Sequence, residues 1–336
     1  MSKSSNTQEK FKSKIGGQAL IEGIMMLGPN KGAMACRLPD GTIDLETWDE
    51  NNGKNAPWYR KVPLVRGCTG FVISLVKGYK YMMKSAEKQM PEDEDEEKDK
   101  KKKTEPAAEA AAESTETAEN KETADKKKEG SGYDIFMYLG ILFGVVMAIG
   151  LFVMLPKWIV GLIPAVKEHR FLRSLLEGLV KITLFVVYMY LTSLMKDIRR
   201  QFMYHGAEHK TIACHEAELP LTVDNIRKQS RFHKRCGTSF IFIVLIVSIF
   251  VMCFVPFTVT WQRIVASLVL LPLVVGISYE CIRLAGNNDN LFTRILSAPG
   301  LAMQRITTRE PDDSMIEIAI AAMTPCIPSD KEEDKW

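Results

Sequence analysis

Residues 204–238 read YHGAEHKTIACHEAELPLTVDNIRKQSRFHKRCGT, and the rest of the chain is arranged around this stretch. It contains four of the five histidines and two of the seven cysteines of the 336-residue chain. It is also the longest polar connection between strongly apolar segments. Because histidine and cysteine are common metal ligands and histidine transfers protons near neutral pH, we expect any chemistry of the protein to lie here.

The composition excludes several classes of protein. Hydrophobic residues make up 46% of the chain and charged residues 25%, and the two kinds are unevenly distributed. The net charge of +3 is small and no basic stripe with interleaved aromatics occurs, so we expect no nucleic-acid partner. Seven cysteines without regular spacing argue against a disulfide-stapled secreted protein. Residues 1–14 are polar and predict a disordered tail without a signal peptide.

Long apolar segments on both sides of this stretch predict a mainly α integral membrane protein. The first and third segments, 135–155 and 238–261, are the strongest candidates for spans, because neither carries a charge. The second is the weakest, since Glu177 and Lys181 lie in its first turns, where their i, i+4 spacing lets them pair. We therefore predict about four transmembrane helices, in two pairs at 133–195 and 238–285, with apolar cores at 135–155, 174–195, 238–261 and 264–283.

The basic residues near the span ends predict an orientation. Lysines occupy 126–128 ahead of the first span, and nine Lys or Arg lie between residues 196 and 235. The connection between the third and fourth spans has only Arg263 at its edge, whereas four basic residues in 156–173 run against the pattern. The best solution places both termini and the histidine-rich loop, 196–237, in the cytosol. Unpaired cysteines agree with that reducing compartment.

The segment 15–62 predicts a small cytosolic β element. Its glycines interrupt any helical period, and the runs 33–38 and 42–47 flank the turn signal Pro39-Asp40-Gly41. Glu22 lies between Ile21 and Gly23 in an apolar patch. Since a buried carboxylate needs a partner, Glu22 is a second-tier candidate for the functional site; an exposed or capping carboxylate is the alternative.

The remaining segments are amphipathic or of low complexity. Residues 63–89 have one apolar face and a basic opposite face, which predicts an interfacial helix on anionic headgroups, with a soluble core helix as the alternative. Residues 90–132 are charged and poor in large apolar side chains, so we expect a disordered linker. Residues 286–326 predict cytosolic amphipathic helices, with a turn at Pro299-Gly300 and a helix start at Pro311; a tail, 327–336, follows.

The motif His205-x-x-Glu208-His209 is the strongest chemical signal. On a helix, positions i, i+3 and i+4 share one face, so both imidazoles and the carboxylate would converge. The same order occurs in the inverted zincins, and this similarity implies that His205 and His209 bind a divalent metal, zinc first, while Glu208 is the catalytic base. A third metal ligand is required, and Glu280 lies roughly the right distance downstream for that class.

A second group of candidates lies in the same stretch. His233-x-x-Cys236 has acceptable spacing for two zinc ligands, whereas the adjacent Cys214 and His215 would chelate poorly. Glu216, two turns beyond His209, is a further candidate. The alternative is that these histidines and arginines form a polar layer that satisfies helix ends and meets lipid headgroups.

Five further motifs of the chain are IGGQALIEGIMMLGP, HGAEHKTIACHE, RFHKRCGTSF, GISYECIRLAG and PGLAMQRITTREPDD. Together they resemble the YqhQ-like family of uncharacterised bacterial multi-pass membrane proteins, described as predicted metal-dependent enzymes. The resemblance covers nearly the whole chain except the tail and 90–132. It implies a chain in the bacterial inner membrane.

Two functional hypotheses follow. The first is a metal-dependent hydrolase at the cytosolic face of the membrane, whose substrate the sequence does not identify. The second is a non-enzymatic scaffold or chaperone in membrane-protein assembly. Both have the lipid bilayer as a partner, and the second adds membrane-protein partners. The sequence predicts no oligomeric state.

Overall fold

The computed structural model describes residues 11–51, 57–90, 131–167, 169–288 and 290–336. They divide into two compact units, one made of the described residues of 11–90 and 156–336 and the other of residues 131–155. In the second unit, helix α2 (Ser131–Ile149) continues into a π-helical turn at Gly150–Met154. Residues 1–10 of the predicted tail 1–14, and most of the predicted linker 90–132, lie outside the described residues.

The larger unit begins with a sheet and continues as helices. The strands are β1 (Gly16–Leu20), β2 (Gly23–Leu27), β3 (Lys31–Arg37) and β4 (Ile43–Asp49). The helices are α1 (Val65–Glu87), α3 (Leu155–Gly161), α4 (Pro164–Lys167), α5 (Arg170–Thr192), α6 (Lys196–Glu216), α7 (Val223–Arg227), α8 (Gly237–Cys253), α9 (Thr260–Val269), α10 (Leu271–Asn287), α11 (Leu291–Thr307), α12 (Asp313–Met323) and α13 (Lys331–Asp334). Single 3-10 turns occur at Trp58–Arg60 and Thr324–Cys326.

The four strands form an antiparallel meander in the order β1-β2-β3-β4, and this confirms the small N-terminal β element. The predicted hairpin is β3 with β4, closed by a turn in which Gly41 has φ 88°. Glu22, in the two-residue turn between β1 and β2, has φ 50°, an uncommon left-handed conformation for a side chain with a Cβ.

Both faces of the sheet are covered, which explains why β2 and β3 are apolar at consecutive positions. Alternate residues point to opposite faces. Ile24 and Met26 face helices α6 and α12, while Met25 faces α1, where the ring of Tyr81 stacks on Trp48 at 4.2 Å. This packing fixes α6 against the sheet.

Helix α1 lies within the segment 63–89 that was predicted as an amphipathic interfacial helix, but several of its basic residues contact the sheet. Lys77, Lys84 and Lys88 form ion pairs with the acidic residues Glu50, Glu46 and Asp44 at β4, so these lysines dock the helix on the sheet. Exposed apolar side chains of α1 include Val72, Leu75 and Val76, which precede these lysines in sequence.

The prediction of four spans is not supported. Two helices of the described residues, Leu142–Gly161 and Arg170–Thr192, are long and apolar enough to cross a membrane, and the pair α9 and α10 would add a third if it is one span bent by 53°. Pro272 in the first turn of α10 accompanies the bend. Helix α8 has 17 residues, about 25 Å, which is shorter than the ~30 Å apolar core of a bilayer.

Two further predictions of local structure are wrong. Much of the predicted loop 196–237 is the 21-residue helix α6, whose polar side chains find partners after folding. The predicted turn at Pro299-Gly300 lies inside α11, where Gly300 allows a close approach to Ser239. The predicted tail ends in α13, whose buried Asp334 accepts hydrogen bonds from Ser13 and His215. Asp312, by contrast, caps α12 where a helix start was expected.

Candidate metal centre

Helix α6 carries the H-x-x-E-H motif on its buried side. His205, Glu208 and His209 lie on one face because they are spaced three and four residues apart. Gly206, a poor helix former, is required by packing, since a Cβ at this position would overlap the carbonyl oxygen of Arg309. The close contact with the segment at Arg309, which crosses α6, therefore explains why a poor helix former lies inside the helix.

Three donor atoms converge at this face. The ligand atoms of His205, His209 and Cys236 all lie within 4.8 Å of one another. Nε2 of His205 is 3.2 Å from the sulfur of Cys236, and the two imidazole centroids are 4.3 Å apart. Cys236 is the residue immediately before α8, so the start of an apolar helix supplies the third donor. This separation of donors between two helices is typical of a tertiary metal site.

Backbone carbonyls orient both imidazoles. Nδ1 of His205 is 2.8 Å from the carbonyl oxygen of Thr307, and Nδ1 of His209 is 2.6 Å from that of Arg231. A carbonyl oxygen only accepts, so Nδ1 carries the proton in each ring. The lone pair of the neutral ring then lies on Nε2 and is available to a metal. Metal-binding histidines usually donate their other ring N–H to a carbonyl or carboxylate in this way.

Glu208 lies beside the three donors with an unsatisfied oxygen. Its side chain is buried, and Oε2 has no hydrogen-bond partner among the described residues. The backbone amide of Gly17 on β1 approaches the carboxylate and favours its charged form. A Cβ at Gly17 would lie 3.0 Å from Cγ of Glu208, so glycine is required for this approach. A buried, unpartnered carboxylate oxygen is rare in native proteins and indicates a functional constraint.

The electrostatics favour a thiolate at Cys236. Burial alone would raise the pKa of this thiol, but His205 and His209 outweigh burial and hold the pKa well below its usual range. Burial alone would lower the pKa of His205, whereas Cys236 and Glu208 raise it to about 9. Burial raises the pKa of Glu208, against the effect of the two histidines. A thiolate is the form of cysteine that binds metals.

The donor set fits zinc. Two imidazole nitrogens and one thiolate sulfur match the ligands that Zn²⁺ prefers, whereas Mg²⁺ and Ca²⁺ prefer oxygen. Three protein ligands leave one tetrahedral position open, which is typical of catalytic rather than structural zinc sites. The three donors, the carbonyl-bound imidazoles and the free oxygen of Glu208 thus describe a candidate catalytic metal centre.

His233 and Glu216 form a second group next to the centre. The His233 ring lies 5.6 Å from that of His209, and its Nε2 is 3.5 Å from Glu216, which also pairs with Arg235. Burial lowers the pKa of His233; burial would raise that of Glu216, but His233 and Arg235 lower it. This network supports the segment that ends at Cys236.

The other predicted site residues lie elsewhere. Cys214 is buried in an apolar cluster, and His215 pairs with Asp334. Glu22 pairs with Arg200 and accepts a hydrogen bond from Tyr204. Glu280 is not brought to the three donors: Nε of Arg66 donates to its carboxylate at 2.8 Å. Cys236, rather than Glu280, provides the third donor.

Several supporting residues gave no signal in the sequence. Gln304 of α11 holds the backbone of His233 from both sides, by accepting from its N–H at 2.8 Å and donating to its carbonyl at 2.7 Å. Thr307 and Arg231 contribute only backbone carbonyls to the histidines, which no side-chain pattern reveals. Gly17 lies in a glycine pair that predicted β structure but not contact with Glu208.

Comparisons with known proteins agree with the motifs. The family profile described as "Protein of unknown function (DUF1385)" matches residues 62–329, a range that contains all three donors and Glu208. A relative from Bacillus subtilis (strain 168), "Uncharacterized protein YqhQ", is 31% identical over 317 residues, which cover 94% of this chain and 92% of the relative. No solved structure matches the chain. The chain therefore belongs to the DUF1385 family and is a YqhQ-like protein.

Proposed function

We propose that this protein is a zinc-dependent hydrolase of the bacterial inner membrane, with its metal centre on the cytosolic face. The observation that carries the proposal is the convergence of His205, His209 and Cys236 beside the unpartnered oxygen of Glu208. A structural zinc site would use four protein ligands and would need no carboxylate left free.

The roles of the side chains follow from their positions. A bound zinc ion supplies Lewis-acid activation of a water molecule and of the bond to be hydrolysed. His205 and His209 would hold the ion through their imidazole nitrogens, and Cys236 would add a negatively charged thiolate. Glu208 accepts the proton of the attacking water through Oε2 and then donates it to the leaving group, as a general base and acid. Burial excludes bulk water from this proton transfer.

The membrane placement is supported by the apolar helices and by the charges. Two or three helices of the described residues are long and apolar enough to span a bilayer, and nine Lys or Arg lie between residues 196 and 235. Under the positive-inside rule, α6 and the residues that precede α8 lie in the cytosol of a multi-pass chain, and an even number of crossings, as with the two long apolar helices, places both termini there as well. Fluorescent-protein fusions at either terminus, which report only cytosolic ends, test this orientation.

The first test is elemental analysis of the full chain purified in detergent. We expect wild type to contain roughly one equivalent of zinc, and the His205→Ala/His209→Ala variant to contain almost none at matched folding. His169→Ala is the control, because it removes an exposed histidine ahead of α5 and should leave the metal content unchanged. Glu208→Gln should keep the metal, since Glu208 is placed beside the donors as a base.

The opposite result separates the two functional hypotheses. A folded wild type that contains no metal, and that binds none when zinc, iron or manganese is added, would remove the basis of the hydrolase proposal. The non-enzymatic scaffold in membrane-protein assembly would then be the better hypothesis, and co-purifying membrane proteins would be sought instead of substrates.

A further inference from the structure

A second buried polar cluster lies at the other end of the apolar helices. Helices α5 and α8 run side by side in opposite directions, as the contacts of Phe185 with Phe242 and of Ser174 with the carbonyl of Met252 show. Since α8 begins at the metal centre and has 17 residues, its far end is about 25 Å away. The cluster is therefore separate from the metal centre.

One carboxylate in this cluster serves two arginines. Nε of Arg173 and Nε of Arg263 donate to the same oxygen of Glu177 at 3.0 and 3.1 Å, and Nη2 of Arg263 donates to the other at 3.0 Å. Further guanidinium N–H groups bond Thr260 and Ser174 and the backbone. All three charged side chains are buried. Glu177 compensates one of the two arginines, and one positive charge remains.

Lys157 increases this excess. Its side chain is only 1% exposed, and none of the described residues provides it with a hydrogen bond or an ion pair. The charged groups that act on it are Lys181, Arg263 and Arg173, which repel it, and Glu177, which is already occupied by the arginines. Buried charges are normally paired, because the loss of hydration is otherwise uncompensated. Four basic side chains thus surround one carboxylate, which leaves an excess of positive charge.

The surroundings place this cluster at the level of lipid headgroups. Lys157 lies in the last turns of the apolar helix Leu142–Gly161, and Arg173 in the first turn of Arg170–Thr192. Large aromatic side chains next to them along the chain are exposed: Trp158 at 63%, Trp261 at 63% and Phe171 at 69%. Exposed aromatic residues at the ends of apolar helices are typical of a membrane–water interface.

We propose that this cluster binds one phosphate-type oxyanion, contributed by an anionic phospholipid headgroup or by free phosphate. The ammonium group of Lys157 is the free donor, and Arg173 and Arg263, held in place by Glu177, supply the surrounding positive field. Ammonium and guanidinium groups are the side chains that recognise phosphate oxygens. The proposal does not depend on the hydrolase, because no residue is shared with the metal centre.

The test is thermal unfolding of the full chain in a neutral detergent, with added phosphatidylglycerol, phosphatidylcholine or inorganic phosphate. A ligand that binds the folded state raises Tm as its concentration rises. We expect phosphatidylglycerol or phosphate, but not phosphatidylcholine, to raise the Tm of wild type. Lys157→Met should weaken this binding by roughly tenfold or more, because it removes the free charged donor. Arg170→Gln is the matched control, since Arg170 is exposed at the same end of α5.

The two sources of the anion give different results. If phosphatidylglycerol raises Tm and phosphate neither does so nor competes, the ligand is a lipid headgroup; if phosphate alone suffices, it is a soluble anion. Equal affinity in wild type and Lys157→Met, or no effect of either anion on folded wild type, would overturn the proposal. Should Lys157→Met not fold, native mass spectrometry of wild type decides: retention of phosphatidylglycerol over phosphatidylcholine, or of phosphate, supports the site, and retention of neither refutes it.

Discussion

At the scale of single residues, Cys236 and Cys214 are a natural pair for comparison. Both are buried and lie in the same stretch of sequence, but Cys236 alone lies 3.2 Å from His205 while Cys214 packs among aliphatic side chains. In cobalt-substituted protein, wild type and Cys214→Ser should show a thiolate-to-cobalt charge-transfer band that Cys236→Ser lacks. Retention of the band in Cys236→Ser would show that this sulfur does not bind the metal.

Gly206 and Gly237 provide a second matched pair. An added Cβ at Gly206 would overlap the Arg309 carbonyl, whereas Gly237, at the start of α8, has nothing within 4 Å of that position. We expect Gly206→Ala to reduce the free energy of unfolding by about 1–3 kcal/mol through overpacking. Gly237→Ala should change it little. Denaturant unfolding of both variants measures the difference. Equal stability would mean that the segment at Arg309 can shift to accept a Cβ at little cost in free energy.

At the scale of elements, the sequence predicted those whose signals are local. The turn Pro39-Asp40-Gly41 and the helix start next to Pro311 depend on neighbouring residues; the turn occurs where expected, and the helix begins at Asp313, capped by Asp312. Apart from the H-x-x-E-H motif, the residues of α6 were predicted as a loop because many of them are polar. These polar side chains find partners only in the folded chain, as Lys210 does with Glu310. Likewise, the spacing to Glu280 suggested a third ligand, but Glu280 pairs with Arg66. Distance along a chain does not fix distance in space.

Helix α13 makes a testable contribution through one side chain. The carboxylate of Asp334 accepts hydrogen bonds from Ser13 Oγ at 2.7 Å and from the Lys14 amide at 3.0 Å, and Nε2 of His215 lies 2.7 Å away. Asp334→Ala leaves these buried partners unsatisfied and should cost about 1–3 kcal/mol of unfolding free energy. The neighbouring exposed Glu332→Ala is the control. If both variants have the same free energy of unfolding as wild type, the C-terminal segment does not stabilise the fold.

At the scale of the whole molecule, the site joins parts of the fold that the sequence predicted separately. His205 and His209 belong to α6, which packs on the sheet. Cys236 immediately precedes the apolar helix α8. The carbonyl that orients His205 belongs to Thr307, the last residue of α11. The motif alone predicted that two histidines and Glu208 share a helical face. It could not identify which distant residue completes the set, because that depends on how α8 packs beside α6.

A metal shared by α6 and the start of α8 should therefore stabilise both regions together. A ligand that binds only the folded state adds about 2.7 kcal/mol of stability at a hundredfold excess over its Kd, so chelation should lower Tm and zinc should restore it. Hydrogen exchange should then speed up in α6 and at the start of α8 in the same metal-free sample, while α1 changes little. His169→Ala should respond to chelation as wild type does, and His205→Ala/His209→Ala should not respond. Because the ion would take donors from both regions, faster exchange in one of them alone would contradict a shared ion.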